Sequence, residues 1–305
     1  AVMLLFLING IFRGAGSAHL AMRALWISNG LNIILDPLLI FGLGSIEGLG
    51  LVGAAWATTI GRSIGVVYQM YHLLNGKHRL VIKSYNLLVR WETLKKIINI
   101  SIGGMGQFLV DSAAWIVLTR IASEFGSVAI AGYTIAFRIL LFSLMPAWGL
   151  SAAAATLVGQ NLGAGKAFRA EIATYLTARY NFIFLATVTL IYLFFADFLA
   201  GIFTQDEGVR AIAATGLKVT VLGYVFYAVG MVMVQAFNGA GDTKTPAYIN
   251  ISIFWLLEIP LAYYLAIIYG LNTFGIFITI ALCHSLHALV ALYFFRKGKW
   301  KFVKT

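Results

Sequence analysis

The hydrophobic positions of this 305-residue chain fall in long unbroken runs. Runs near 20–43, 49–74, 97–121, 127–160, 172–200, 208–237, 245–269 and 273–295 each reach the roughly 20 residues that a helix needs to cross a bilayer. A shorter apolar remnant occupies about 1–12. The runs are continuously apolar and lack the period-two alternation of a membrane β-barrel. Several exceed the minimum length, which predicts tilted or protruding helices. The fold class expected from the pattern is therefore an all-α polytopic membrane protein.

Composition agrees with the pattern. Hydrophobic residues make up 61% of the chain, charged residues 11%, and the mean hydropathy is +0.89. A soluble domain carries about 25% charged residues, so this chain cannot clothe a water-exposed surface. The lipid bilayer is the expected surrounding. The single cysteine, Cys283, excludes an internal disulfide and a cysteine-rich metal site. The first residues, Ala1-Val2-Met3-Leu4-Leu5-Phe6, already lie inside an apolar run with no basic flank. That start argues against a signal peptide, and an N-terminally incomplete chain is expected.

The formal net charge of +11 changes the picture through its placement. Segments 13–19, 75–96, 161–171, 238–244 and 296–305 hold 1, 6, 2, 1 and 5 Lys or Arg. The alternate segments 44–48, 122–126, 201–207 and 270–272 hold none. This is the positive-inside pattern, so the basic segments, including the C-terminus, are expected in the cytoplasm of a multi-pass plasma-membrane protein, a bacterial inner membrane. Topology then accounts for the charge, and no nucleic-acid partner is expected. The segment 75–96, which mixes basic and apolar residues, reads as a helix on the cytoplasmic surface with Trp91 at headgroup level, as an interdomain linker, or as both.

The stretch 159–166, GQNLGAGK, has the look of a phosphate-binding loop. A Walker loop, G-x-x-x-x-G-K-[ST], would require glycine where Gln160 stands and a hydroxyl where Ala167 stands, so no nucleotide is expected. Its Gly-Ala-Gly core recurs at 14–16 and 239–241, which points to architecture. Phe12-Arg13-Gly14-Ala15-Gly16-Ser17 aligns with Phe237-Asn238-Gly239-Ala240-Gly241-Asp242 at an offset of 225, and the same offset brings Gly50 onto Gly275. Between these landmarks, Asp36-Pro37 corresponds to Glu258-Ile259-Pro260 after a small gap. Both loops fall on the cytoplasmic side, so the repeats run in the same direction about an axis along the membrane normal. The second repeat holds six spans, which predicts a full protein of two six-span halves.

These stretches resemble the multidrug and toxic compound extrusion (MATE) family of the multidrug/oligosaccharidyl-lipid/polysaccharide exporter superfamily. The resemblance is carried by Asn32-Ile33-Ile34-Leu35-Asp36-Pro37-Leu38-Leu39-Ile40, Gly50-Leu51-Val52-Gly53-Ala54-Ala55-Trp56-Ala57-Thr58, Thr156-Leu157-Val158-Gly159-Gln160-Asn161-Leu162-Gly163-Ala164-Gly165 and Asn238-Gly239-Ala240-Gly241-Asp242-Thr243-Lys244-Thr245-Pro246. It implies two pseudo-symmetric six-helix lobes with a cavity between them, and efflux of organic, often cationic, compounds in exchange for Na⁺ or H⁺. On that scheme residues 1–74 end the N-terminal lobe (a remnant of helix 4 and helices 5 and 6). Residues 75–96 are the cytoplasmic interlobe linker, and 97–305 are the C-terminal lobe, helices 7 to 12, with a basic tail.

A carboxylate inside a span costs about 2.5–3.5 kcal/mol at the bilayer centre on insertion scales, so it is a functional candidate by default. Asp36 has Asn32 one helical turn earlier on the same face, where its amide can orient the carboxylate or share a cation. Pro37 lacks an N–H and frees a backbone carbonyl nearby. The family's N-lobe cation site, by resemblance, contains an Asn and an Asp spaced like Asn32 and Asp36, plus a Thr that Thr58 matches. One branch of the family carries an acid where Asp111 stands, paired with an Asp in helix 10 at the position of Tyr227. Asp111 is thus a candidate for cation coupling or for attracting cationic substrate. Glu258 is a candidate for transport or for pairing with a buried Arg, while Asp197, near a span end, reads as an interfacial acid. Arg62 and Arg138 read as paired or snorkelling, and His284 with His287 as packing or hydrogen-bonding groups. Among the aromatics, Trp115, Phe137, Phe142, Trp148, Phe226, Tyr227 and Trp255 are candidates to line a cavity for flat cations, Trp115 and Tyr227 foremost.

The function expected is a secondary active multidrug exporter working by rocking-type alternating access, acting on small organic substrates as a monomer, without a resident cofactor or metal. The alternative is a lipid-linked oligosaccharide or polysaccharide-precursor flippase of the same superfamily, for which a strongly cationic cavity is expected. An enzyme is not expected, because no His or acidic cluster gathers at a membrane face. The absence of a surviving Walker motif argues against a nucleotide-driven pump.

Overall fold

The computed structural model describes residues 1–43, 46–75, 80, 82 and 88–303. Helix α1 covers Val2–Gly14, α2 Ala18–Phe41, α3 Gly50–Leu74, α4 Trp91–Ser123 and α5 Ser127–Gly163. Helix α6 covers Ala167–Phe203, α7 Glu207–Gly239, α8 Lys244–Asn250, α9 Ile259–Tyr263 and α10 Asn272–Arg296. Two π-helical stretches, Ile251–Glu258 and Tyr264–Ile268, join with α8 and α9 into one span. Among the described residues eight spans are long and apolar enough to cross a membrane, within a few residues of the eight apolar runs. This is an all-α polytopic membrane protein. Its outer faces carry large apolar side chains, such as Phe194, Phe195 and Phe198 on α6, as contact with lipid rather than water requires.

The chain forms two compact units, Ala1–Arg90 and Trp91–Thr305. In the first, α2 and α3 are joined by a short antiparallel ladder that pairs Gly42 with Glu47 and Leu43 with Ile46. Small residues at every fourth position of α3, Gly53, Ala57, Gly61 and Gly65, are buried along the α2 side. A Cβ on Gly61 would sit 2.8 Å from the Ser28 carbonyl oxygen, so only glycine allows this approach. Helix α1 is tied to α3 by Gln69, whose Nε2 donates to Asn9 Oδ1 at 2.7 Å.

In the second unit α7 is the central helix, packed against α5, α6 and α10. Two apolar cores stack along it. One holds Tyr133, Tyr192, Tyr224 and Phe277, the other Phe237, Phe254, Phe295 and Trp300, and Tyr227 borders both. The tail folds back through a short 3₁₀ turn, Lys299–Phe302, where Trp300 Nε1 donates to the Phe295 carbonyl at 3.0 Å and Lys301 pairs with Glu171.

Of the surface helix expected over 75–96, residues 76–79, 81 and 83–87 lie outside the described residues. Its described end differs from the expectation, because Trp91 opens α4 and the helix runs from there without interruption. The Lys244–Ile268 span also departs from a plain helix. Pro260, near the start of α9, has no N–H to close an α-helical turn, and widened turns flank it on both sides.

The three Gly-Ala-Gly loops share one geometry. Ser17, Lys166 and Asp242 each donate a backbone N–H to the residue five positions earlier, Phe12, Asn161 and Phe237, at 2.8, 2.8 and 3.0 Å. The second glycine of each loop, Gly16, Gly165 or Gly241, is left-handed, with φ of 81°, 70° and 84°. These are Schellman caps, in which glycine closes the helix without a Cβ penalty. In the 159–166 stretch, Asn161 Nδ2 also donates to the Leu157 carbonyl at 2.7 Å. Gly165→Ala is expected to cost about 1 kcal/mol, or roughly 2–4 °C in the thermal midpoint, while Ala164→Gly, outside the left-handed position, costs less. Thermal unfolding in detergent checks this, and equal midpoints for the two variants would refute the cap.

Candidate functional site

In the first unit the Asn32–Asp36 pair forms as its spacing requires. Asn32 Nδ2 donates to Asp36 Oδ1 at 3.0 Å, and both side chains are half-buried. Pro37 lies inside α2, which continues to Phe41, so the Ile33 carbonyl lacks the donor that a residue with an N–H would supply. Thr58 sits half-buried on α3 beside Ala57 of the small-residue seam. Among the described residues it makes no hydrogen bond to Asn32 or Asp36, so its place in this site rests on resemblance alone. No Lys or Arg among the described residues pairs with Asp36.

In the second unit the exposed carboxylate of Asp111 on α4 opens a polar chain whose other members, Asn250 and His287, are buried. Asp111 Oδ1 accepts from Asn250 Nδ2 at 2.9 Å, and Asn250 Oδ1 lies 3.1 Å from His287 Nε2. With the Asn250 amide donating to Asp111, its oxygen can only accept, so His287 carries its hydrogen on Nε2. Nδ1 of His287 is then a buried acceptor, unpartnered among the described residues. The His287 ring stacks on Phe254 at 5.0 Å between centroids, and His284 stacks on Tyr227 at 4.2 Å. A Cβ on Gly230 of α7 would fall 3.1 Å from His287 Nδ1 and 2.8 Å from Ala288 Cα. The bare backbone there lets α7 and α10 approach and sets His287 beside Tyr227.

Asp111, Asn250, His287 and Tyr227 line a cavity of about 120 Å³ together with Gln107, Ser151 and Trp148. Gln107 and Asn238 exchange amide hydrogen bonds at 3.1 and 3.2 Å, and Gln107 also donates to the Thr243 carbonyl at 3.0 Å. Drug-sized sites run to roughly 300–1,000 Å³. This cavity is well below that range.

Trp115 is outside the cavity, its indole stacked on Phe137 at 5.1 Å. Glu258 is buried and pairs with no Arg among the described residues, so the expected alternative of an Arg partner is not what the structure holds. Asp197 is an exposed acid paired with Lys218. Arg62 is half-buried and Arg138 exposed, and neither forms an ion pair among the described residues. Sequence reasoning passed over Asn250, Gln107 and Ser151. The scrutiny given to carboxylates inside spans, extended to buried amides, would have found the first two.

Residues 105–264, more than half of the chain, match the MatE family model. The chain belongs to the MatE family. That match takes in Asp111, Tyr227, Asn250 and Glu258. The MatE chain is 28% identical to the probable multidrug resistance protein NorM of Thermotoga maritima, over 96% of its own length and 63% of that protein. It is 25% identical to the multidrug export protein MepA of Staphylococcus aureus, over 95% of its length and 63% of the relative. The chain thus spans a little under two thirds of the curated relatives it matches. Among solved structures, an outward-facing multidrug resistance MATE family transporter of the MOP superfamily superposes with a TM-score of 0.88 at 26% identity, covering 97% of this chain and 67% of that one.

Proposed function

We propose that this MatE protein is a secondary active multidrug exporter that moves organic, often cationic, compounds out of the cell in exchange for Na⁺ or H⁺. The observation that carries the reading is the Asn32–Asp36 pair, a half-buried carboxylate inside an apolar span, oriented by a neutral amide and unpaired with any base among the described residues. A carboxylate in that setting binds and releases a small cation. Thr58 is assigned to the same site. The multidrug names of NorM and MepA support the substrate class.

Asp111 takes the corresponding role in the second unit. Its cavity is too small for a drug and large enough for a hydrated ion, which favours cation coupling over substrate attraction. Cation binding biases one arrangement of the transporter and substrate the other, which is the requirement for rocking-type alternating access. The alternation of basic and base-free segments supports a plasma-membrane location with the C-terminus in the cytoplasm.

The test is ethidium efflux from liposomes containing the full-length transporter, under an imposed Na⁺ or H⁺ gradient. Efflux driven by one of the two gradients is the expected result. Movement of a lipid-linked sugar without any cation-driven ethidium efflux would replace this reading with a flippase.

A further inference from the structure

Among the described residues Glu258 is the one buried carboxylate, and neither the Asn32–Asp36 pair nor the Asp111 cavity absorbs it. Its side chain is 3% exposed, and among the described residues it makes no hydrogen bond and no ion pair. It closes the π-helical stretch Ile251–Glu258, two residues before Pro260, and widened turns of this kind often occur at functional positions.

The titratable groups on the elements around it are Asp111 of α4, Tyr133 of α5, Tyr227 of α7, and Cys283, His284 and His287 of α10, with Tyr263 and Tyr264 on its own span. None supplies a formal positive charge against it. Arg120 of α4 is engaged with Glu124, and Arg138 of α5 is exposed. The stretch that ends in Glu258 is tied to the Asp111 turn of α4 by Trp255, whose Nε1 donates to the Val110 carbonyl at 3.0 Å.

A lone ionised carboxylate in such surroundings carries a desolvation cost with nothing to offset it, and such a group neutralises instead. A metal cation would need several further oxygen ligands, whereas a proton needs only the carboxylate itself. We propose that Glu258 is a proton-binding site of the six-helix unit, held as the neutral carboxylic acid and emptied when a cation occupies the Asp111 cavity. Binding forms an O–H bond on a carboxylate oxygen. Release returns that proton to water and leaves a second negative charge beside Asp111, which a cation at Asp111 compensates. The two acids then act as one unit with linked occupancy rather than as two independent sites.

The inference rests on the exporter reading only for its transport consequence, and the experiment separates the two. Difference infrared spectra of the full-length protein in liposomes are recorded as cation is added at neutral pH. Wild type is expected to lose the carbonyl stretch of a protonated carboxylic acid, a band that shifts in D₂O. Glu258→Gln, close to isosteric, removes the band, Glu258→Asp moves it, and Asp111→Asn keeps it. H⁺-gradient-driven ethidium efflux is expected to fall at least about tenfold in Glu258→Gln, with ethidium binding within about threefold of wild type.

A wild-type protein without the band, or a Glu258→Gln protein that retains it, overturns the proton site. If wild type shows the band but moves no ethidium, the exporter reading fails and the proton site stands. Should Glu258→Gln fold poorly, the band position in Glu258→Asp decides, and an unmoved band counts against the site.

Discussion

Asp36→Asn in the full-length protein is expected to lower gradient-driven ethidium efflux at least about tenfold below wild type, while the protein still inserts and folds. Asparagine keeps the size of the side chain and can still meet Asn32, which now sits 3.0 Å from the carboxylate. It lacks the charge proposed to take up and release a cation, so the expected loss falls on coupling and not on packing. The substitution removes a half-buried charge that no base pairs with, so stability changes by no more than about 0.5 kcal/mol. Downhill binding of ethidium in detergent should remain near wild type. Efflux that still responds to the gradient in Asp36→Asn would remove Asp36 from the coupling site, whatever its hydrogen bond to Asn32.

The second large effect is structural. Asn250→Leu deletes both hydrogen bonds of the Asp111–Asn250–His287 chain at once. Buried His287 loses its partner, which costs about 1–3 kcal/mol, while the exposed Asp111 carboxylate keeps access to solvent, so a loss of about 1–3 kcal/mol is expected. The diagnostic is non-additivity. Asp111→Leu combined with Asn250→Leu removes both ends of the Asp111–Asn250 bond, and the double variant should be less destabilised than the sum of the two single variants. Thermal unfolding of the three proteins in detergent measures the coupling. Simple addition of the two single effects would mean that the chain is not energetically connected.

The architecture was legible because a bilayer constrains sequence severely. A spanning segment must satisfy its own backbone hydrogen bonds and stay apolar over a fixed length, so each span announces itself. The Asn32–Asp36 pair was legible for a similar reason, since residues four apart on one helix are neighbours by helical geometry alone. The Gly-Ala-Gly loops were legible as turns, and the three caps now agree bond for bond. Nothing comparable marked Asn250. It lies 139 positions from Asp111 and 37 from His287, and no local spacing rule connects partners on different helices.

The sequence alone therefore determined the eight spans, the MatE kinship and the pairing within α2, all of which follow from local periodicity and motif. Only the tertiary structure decided what surrounds the acids of the six-helix unit. Close approach of α7 and α10 at Gly230 sets His287 beside Tyr227, Asn250 reaches Asp111, and Glu258 is left buried without a partner among the described residues. Those outcomes depend on which faces of distant helices meet, and helices hydrophobic nearly all round carry little record of that choice.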